Sequence, residues 1–339
     1  MAINKIKFEL QMFAPTAVPA ALVQQAWAKS TWKAAMNNIF FNKFTGNDAN
    51  AIVQVIDDLK KDKGDKVTIP LLLKLSGEAI LDDNTLEGKE EDLEYRDFSV
   101  EINQYRNGVL LKGEFEEQKS QLKMRTDAKA GLQTWLTELI DTLIFNRLST
   151  NPTSDRIVYA GSVNSVAGIT ATDTFTPKLI GKAKRIAQMS KVPIRPVKVN
   201  GTNHWVMIID PYQARDLKSD PDWLDAQKSA NIRGENNPIF TGALGMWDNV
   251  VIHENEQVIR KAEGASAAMV GHSLFLGAQA AVMAKAKETS WKEKKFDYDN
   301  QVGFAIAQMF GIEKSKYKVD SSTDTDFGCI NILTSSKAD

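Results

Sequence analysis

Between Gly64 and Gly113 the chain alternates apolar and polar positions with a period of two, the pattern of strands with one buried face. Val67, Ile69, Leu71, Leu73 and Leu75 alternate with Thr68, Pro70, Leu72 and Lys74. Pro70 has no N–H to donate, which keeps this strand out of the centre of a sheet. A return strand is expected from about Leu93 to Leu111, with Tyr95, Phe98, Val100 and Ile102 as its apolar positions. Its phase slips near Asp97, as a β-bulge would make it. The pattern predicts an extended hairpin over residues 61–113. A lone two-stranded ribbon is marginal in water, so either the chain's own body or neighbouring copies must cover its greasy face.

Helical spacing dominates on both sides of the hairpin. Residues 1–18 read as an extended arm, and Pro19 opens a helix expected to reach Phe44. Trp32, Met36, Phe40 and Phe44 recur every four residues, and Val23 and Trp27 begin a similar stripe. Termini are mobile unless docked, so this aromatic arm, residues 1–60, is expected to dock on something. After the hairpin, Leu132, Leu136, Leu139 and Leu143, widened by Ile140 and Ile144, predict a helix from Glu114 to Leu148. At 1.5 Å per residue it reaches on the order of 50 Å. Gly131 is a candidate kink, and Asn151-Pro152 a stop.

The remainder mixes both periods. Helices are expected over Lys178–Met189, Pro211–Leu217 and Trp223–Ala230, the last two opened by Asp210-Pro211 and Asp220-Pro221. Strands are expected over Val192–Val199, His204–Asp210, Asn249–Glu254 and Gly328–Leu333. Ala278–Lys285 and Val302–Phe310 fit a strand or a short helix. The fold class is therefore α+β.

Charge sharpens the hairpin. Its tip, Ser76–Asp92, holds seven acidic residues, Glu87, Glu90 and Glu91 among them, against the single Lys89. The whole chain, at 339 residues and a formal net charge of −1, is not the clustered basic surface that grips phosphates. No run approaches the roughly 18 apolar residues of a membrane span, and the N-terminal residues lack a secretion signal's apolar core, being broken by Lys5, Lys7 and Glu9. The single Cys329 lies in an apolar run and reads as a buried thiol.

Catalytic and metal-binding patterns are incomplete. His204, His253 and His272 have no second ligand at metal-binding spacing. Gly271-His272-Ser273-Leu274-Phe275 imitates a nucleophile elbow, but Phe275 replaces the last glycine and no histidine follows. Asp326-Phe327-Gly328 lacks every companion motif of a kinase, and no phosphate loop occurs. No cofactor or metal is expected. Lys285, Lys287, Lys292, Lys294 and Lys295, with Trp291 among them, form a basic cluster. It reads as a solvated face, a weak nucleic-acid signal, or the seat for a neighbour's acidic tip.

Several stretches together resemble the major capsid proteins of tailed double-stranded-DNA bacteriophages, with the Hong Kong 97-like fold. They are Gly64–Gly77 (GDKVTIPLLLKLSG), Thr85–Val109 (TLEGKEEDLEYRDFSVEINQYRNGV), His204–Asp220 (HWVMIIDPYQARDLKSD) and Asn237–Glu254 (NPIFTGALGMWDNVVIHE). Ser273–Ala284, Asp297–Tyr317 and Asp326–Ser335 continue the set in the family's order. The resemblance implies an N-terminal arm (1–60), an extended loop lying over a neighbour (61–113), and a peripheral domain with a spine helix (114–194). It further implies an axial domain (195–300) and a return to the peripheral domain (301–339).

Its implied partners are copies of itself in hexamers and pentamers, a separate scaffold protein because the arm is short, a portal, a decoration protein, and packaged DNA held without sequence preference. The virion is the implied location, with assembly in the host cytoplasm. The residues expected at interfaces between copies are Trp27, Trp32, Phe40, Phe44, Glu87, Glu90 and Glu91. Two rivals are an α+β enzyme, which the particle size would expose, and a sequence-blind nucleic-acid-binding protein, which a steep salt dependence would expose.

Overall fold

The computed structural model describes residues 31, 35, 38–57, 66–72, 87, 90, 95–113, 115, 119, 124–190, 192–199, 201–228, 242–320 and 323–338. Two sheets dominate them. The first has five strands in the order β1 (Thr45–Gly46), β2 (Val53–Ile56), β13 (Ala281–Phe296), β14 (Gln301–Lys314) and β5 (Asn103–Leu110). Helix α1 (Met124–Ser149) lies along one face of it. Leu132, Leu136, Ile140 and Ile144 carry the helical period, and all are fully buried with Phe304, Ile306, Phe310 and Trp291 of the sheet. The helix runs unbroken through Gly131; whatever precedes Met124 in the expected element lies largely outside the described residues.

The second sheet has eight strands. Its path is β6 (Ile157–Tyr159), β17 (Cys329–Ser335), β12 (Met269–Leu276), β8 (Thr202–Ile209), β10 (Val250–Glu254) and β9 (Gly245–Trp247). Beside this path β7 (Val197–Val199) pairs with β8, and β11 (Arg260–Ala262) pairs with β12. Trp205, Met207 and Ile209 of β8 face a cluster with α2 (Pro177–Met189) and α3 (Pro211–Ser219). Val206 and Ile208 face the other way, into the core shared with α1. Burial on both faces explains why β8 reads as a continuous apolar run. Asp210 caps α3 by accepting from the Tyr212 and Gln213 amides, and Gln213 closes the capping box, so the expected Asp-Pro start is seen. Helix α4 (Pro221–Lys228) follows.

The hairpin is real at its base. β3 (Lys66–Leu72) pairs antiparallel with β4 (Tyr95–Glu101), Pro70 opposite Asp97. The register is unbroken, so the bulge expected at Asp97 is absent. The change of phase sits at Ile102 instead, where the chain leaves β4 and enters β5. The expected single return strand is thus two strands serving two sheets. Val100 is fully buried against Val282 and Ala284, with Val67, Phe98 and Ile56 around them. The chain's own body therefore covers the ribbon's base.

Other expectations change at the boundaries. The arm helix does not continue to Phe44: residues Phe40–Phe44 form a 3-10 turn. The residue 300 boundary falls in the turn of one hairpin, because β13 and β14 share a single ladder. The last strand, β17, pairs with β12 and β6 in the eight-stranded sheet. Thr176 and Pro177 start α2 as expected. A small hairpin, β15 (Lys316–Asp320) with β16 (Thr323–Asp326), was not legible from its polar sequence.

Candidate assembly surfaces

The arm's base is built around one carboxylate. Asp141 projects from α1 and accepts the Phe40 amide at 2.9 Å and the Phe41 amide at 3.4 Å. These are the orphan donors that open the 3-10 turn. Burial pushes the Asp141 carboxyl up to about 6, against the lowering effect of the two amides. Phe41 and Phe44 are buried, and Phe41 meets Phe145 of α1 edge-on at 4.9 Å between centroids. Phe40 is half-buried and stacks on Phe145 at 6.2 Å. Phe44 lies against the His253 ring at 5.1 Å, and Lys43 Nζ sits 3.1 Å from His253 Nδ1.

This corrects one expectation. Phe44, expected between copies, packs inside its own subunit, and Phe40 mostly does too. An aromatic stripe says that a surface will be buried, not which body buries it. Trp27, Trp32 and Glu91 lie outside the described residues. Glu87 and Glu90 are exposed in the tip.

Asp141 gives the arm's anchor a pH dependence. The folded-state value lies above the ordinary 3.8, so the native subunit binds this proton more tightly than the unfolded chain. The stabilisation is complete below about pH 4 and is lost as pH rises through about 6. Asp141→Asn should remove a rise in stability of at most about 3 kcal/mol between pH 7 and pH 4. Urea denaturation at several pH values reads it. An unchanged pH slope in the variant would show that another group carries the effect.

The groups that imitated catalytic motifs have structural partners. His272 and Ser273 lie within β12 and point to opposite faces. His272 Nε2 is 2.6 Å from Glu263 Oε1, and burial lowers its proton affinity more than Glu263 raises it. Ser273 Oγ donates to Gln213 Oε1 at 2.6 Å. Asp326, of the kinase-like tripeptide, is paired with Lys314 in the interior. A cleft of about 280 Å³ beside α3 is lined by Thr174, Phe175, Thr176, Asp216, Ser219 and Asp220, without a histidine or cysteine. Among the described residues no group of His, Cys, Asp and Glu could hold a metal ion, and no helix is long and apolar enough to cross a membrane. Cys329 is fully buried, and its thiol is pushed up to about 12 by burial. It should react with a thiol reagent only after denaturation, since the thiolate is the nucleophile; rapid labelling of the native subunit would contradict this placement.

The basic cluster separates into two faces. Trp291 is buried against Phe304, with its indole N–H donating to Glu293 at 3.0 Å. Lys295 pairs with Asp299 at 3.0 Å on that side. Lys287, Lys292 and Lys294 point to the opposite face, and all are exposed. Lys285 is half-buried.

Comparisons with known proteins agree with this architecture. The model of a phage capsid protein family matches residues 15–168 and 150–338. A major capsid protein of Pseudomonas phage KPP25 is 31% identical over 90% of this chain and 93% of its own length. The capsid of Ralstonia phage GP4 superposes with a TM-score of 0.81 at 30% identity, covering 88% of this chain and 92% of the other. The capsid of cyanophage Pam1 shares the fold, with a TM-score of 0.73 at 20% identity over 88% and 92% of the two chains. Two sheets around a long helix, with a hairpin leaving one of them, thus form the Hong Kong 97-like capsid fold. The chain belongs to the phage capsid protein family, as a major capsid protein of a phage head.

Proposed function

We propose that this protein builds an icosahedral head by self-association into hexamers and pentamers, enclosing double-stranded DNA. In this reading the five-stranded sheet and α1 are the peripheral domain, and the eight-stranded sheet with α2, α3 and α4 is the axial domain that meets its copies at the symmetry axes. The hairpin, residues 61–113, reaches over a neighbour, and the arm adapts to each position. One observation carries the proposal. The ribbon is anchored at Val67, Phe98 and Val100 on the subunit's own sheet, while its next residues keep the apolar alternation through Leu73 and Leu75.

The work is geometric and non-catalytic. Apolar area buried between copies contributes about 25 cal/mol per Å² before association costs. DNA is held without sequence preference. A separate scaffold, a portal and a decoration protein complete the assembly, which takes place in the host cytoplasm. The test is negative-stain microscopy of the purified chain, alone and coexpressed with the scaffold encoded beside it. Closed shells tens of nanometres across are expected, since each subunit adds rigid layers about 10 Å thick. A monodisperse monomer under both conditions would refute the reading.

A further inference from the structure

One face of the five-stranded sheet is only half covered. α1 covers the face that carries Phe304, Ile306 and Phe310. On the opposite face the hairpin base covers the near end, where Val100 packs on Val282 and Ala284. The far end is open. There the residues alternate as a sheet exposed on one side requires: Ala305 and Gly108 are exposed while Phe304 and Ile306 are buried. Lys292 lies opposite Ala305 and Lys294 opposite Gly303, and Ala307 lies between Ser290 and Arg106. Small residues form the floor, and Lys287, Lys292, Lys294 and Arg106 stand on it. At one end Leu110 is 58% exposed and Phe296 41% exposed, with Lys294 Nζ 4.9 Å from the Phe296 ring centroid.

We propose that this open face is the seat for the acidic hairpin tip, residues 76–92, of a second copy of the chain. The inference rests on the shell-subunit reading above and names the partner surface within it. Charge favours the pairing: the tip offers seven carboxylates and one lysine, and the face offers four cations. Apolar surface favours it independently. Ile80, Leu81 and Leu86 are interleaved with the acids, and Leu110 and Phe296 are the exposed apolar groups they can cover.

The direction of the ribbon makes the occupant a second copy. β5 runs along β14 toward Leu110, so β4 lies upstream of it, past Phe310 and beside β15. The paired ribbon therefore leaves from the end of the sheet away from Phe296. The chain's own tip would have to double back to reach the open face, whereas a neighbour's tip does not. Lys287, Lys292, Lys294 and Arg106 then steer the approach and set its register, as charge complementarity does at interfaces.

The experiment is a charge exchange in the full chain, read as shell yield by microscopy and sedimentation. Lys287→Glu, Lys292→Glu and Lys294→Glu together should lower the yield on the order of 10-fold or more, as should Glu87→Lys, Glu90→Lys and Glu91→Lys together. All six in one chain should restore shells. Circular dichroism should stay native throughout, since the substituted residues are exposed. Normal yield from either triple variant, or no recovery in the sextuple variant, overturns the proposal. So does retention of duplex DNA by this face with shells unaffected, which would assign it to nucleic acid.

Should the unaltered chain form no shells, it is the shell reading that has failed, and a labelled peptide of residues 76–92 then decides the face. Binding at about 50 mM salt that weakens about 10-fold or more on lysine reversal supports the seat. Absence of binding removes it.

Discussion

Lys314→Met should lower the stability of the subunit by about 3–5 kcal/mol, among the largest losses that one side chain can cause in this fold. Lys314 ends β14 and is 3% exposed; its Nζ donates to Asp326 Oδ2 at 2.8 Å, and Asp326 is 0% exposed. The same ammonium donates to the carbonyls of Thr150 at 3.0 Å and Asn151 at 3.1 Å, just beyond α1. Asp326 in turn accepts the Thr153 amide at 3.2 Å. One ion pair therefore ties three places together: the end of the five-stranded sheet, the end of the long helix, and the approach to β17 in the eight-stranded sheet.

Methionine keeps most of the stem's packing, so the loss isolates the charge. It leaves a carboxylate buried without its cation and two carbonyls without their donor, and burial without compensation is what makes such changes costly. The check is a urea melt of unassembled subunits. Lys314→Met combined with Asp326→Leu should be less destabilised than Lys314→Met alone, because the stranded charge is gone. A single variant that melts within about 1 kcal/mol of the native subunit would mean that water reaches Asp326 and that the pair is not the joint between the layers.

How far the sequence disclosed this molecule depended on what each pattern can encode. Alternation located β3 and β4 because one face of each strand is buried, and Asp210-Pro211 located α3 because the cap is local chemistry. α2 was legible because its apolar stripe faces a single sheet. Ile102 was not, because a strand that passes from one sheet to another keeps its period and changes only its partner. The second half of β13 looked like a basic cluster. Its lysines are exposed on both faces of a twisted ribbon, and only Trp291 marks the buried side. β12 was missed because Gly271, His272 and Ser273 dilute its apolar run, while the contacts that bury them, with Gln213 and Glu263, come from distant segments.

The assembly residues divide in the same way. Glu87 and Glu90 were legible as exposed because acidic tips are solvated; Arg106, whose neighbours in sequence are Tyr105 and Asn107, gave no signal until β5 was placed beside β14. Periodicity assigns a face to an element. It does not name the element on the other side.

The arm's anchor carries the other large effect. Phe41→Ala should cost about 3–5 kcal/mol, the range for emptying a fully buried aromatic site. Phe41 is 0% exposed, packs edge-on to Phe145, and shares its cluster with Phe44, Ile52 and Val53. The site has little room to collapse. The 3-10 turn is pinned on one side by Asp141 and continues on the other into β1, which pairs with β2. Phe40→Ala should cost less, about half as much or below, because its ring is only half-buried. Denaturant melts of the two variants in the unassembled subunit give the ratio directly. Equal losses would mean that the turn unravels as a unit once either ring is removed. A larger loss at Phe40 would mean that the outer ring, not the inner one, holds the turn to α1. The predicted order has a consequence for the shell: an arm anchored this firmly at Phe41 leaves residues before it to differ among neighbours while the subunit core stays the same, and that division of labour is what one chain needs to occupy both hexamers and pentamers.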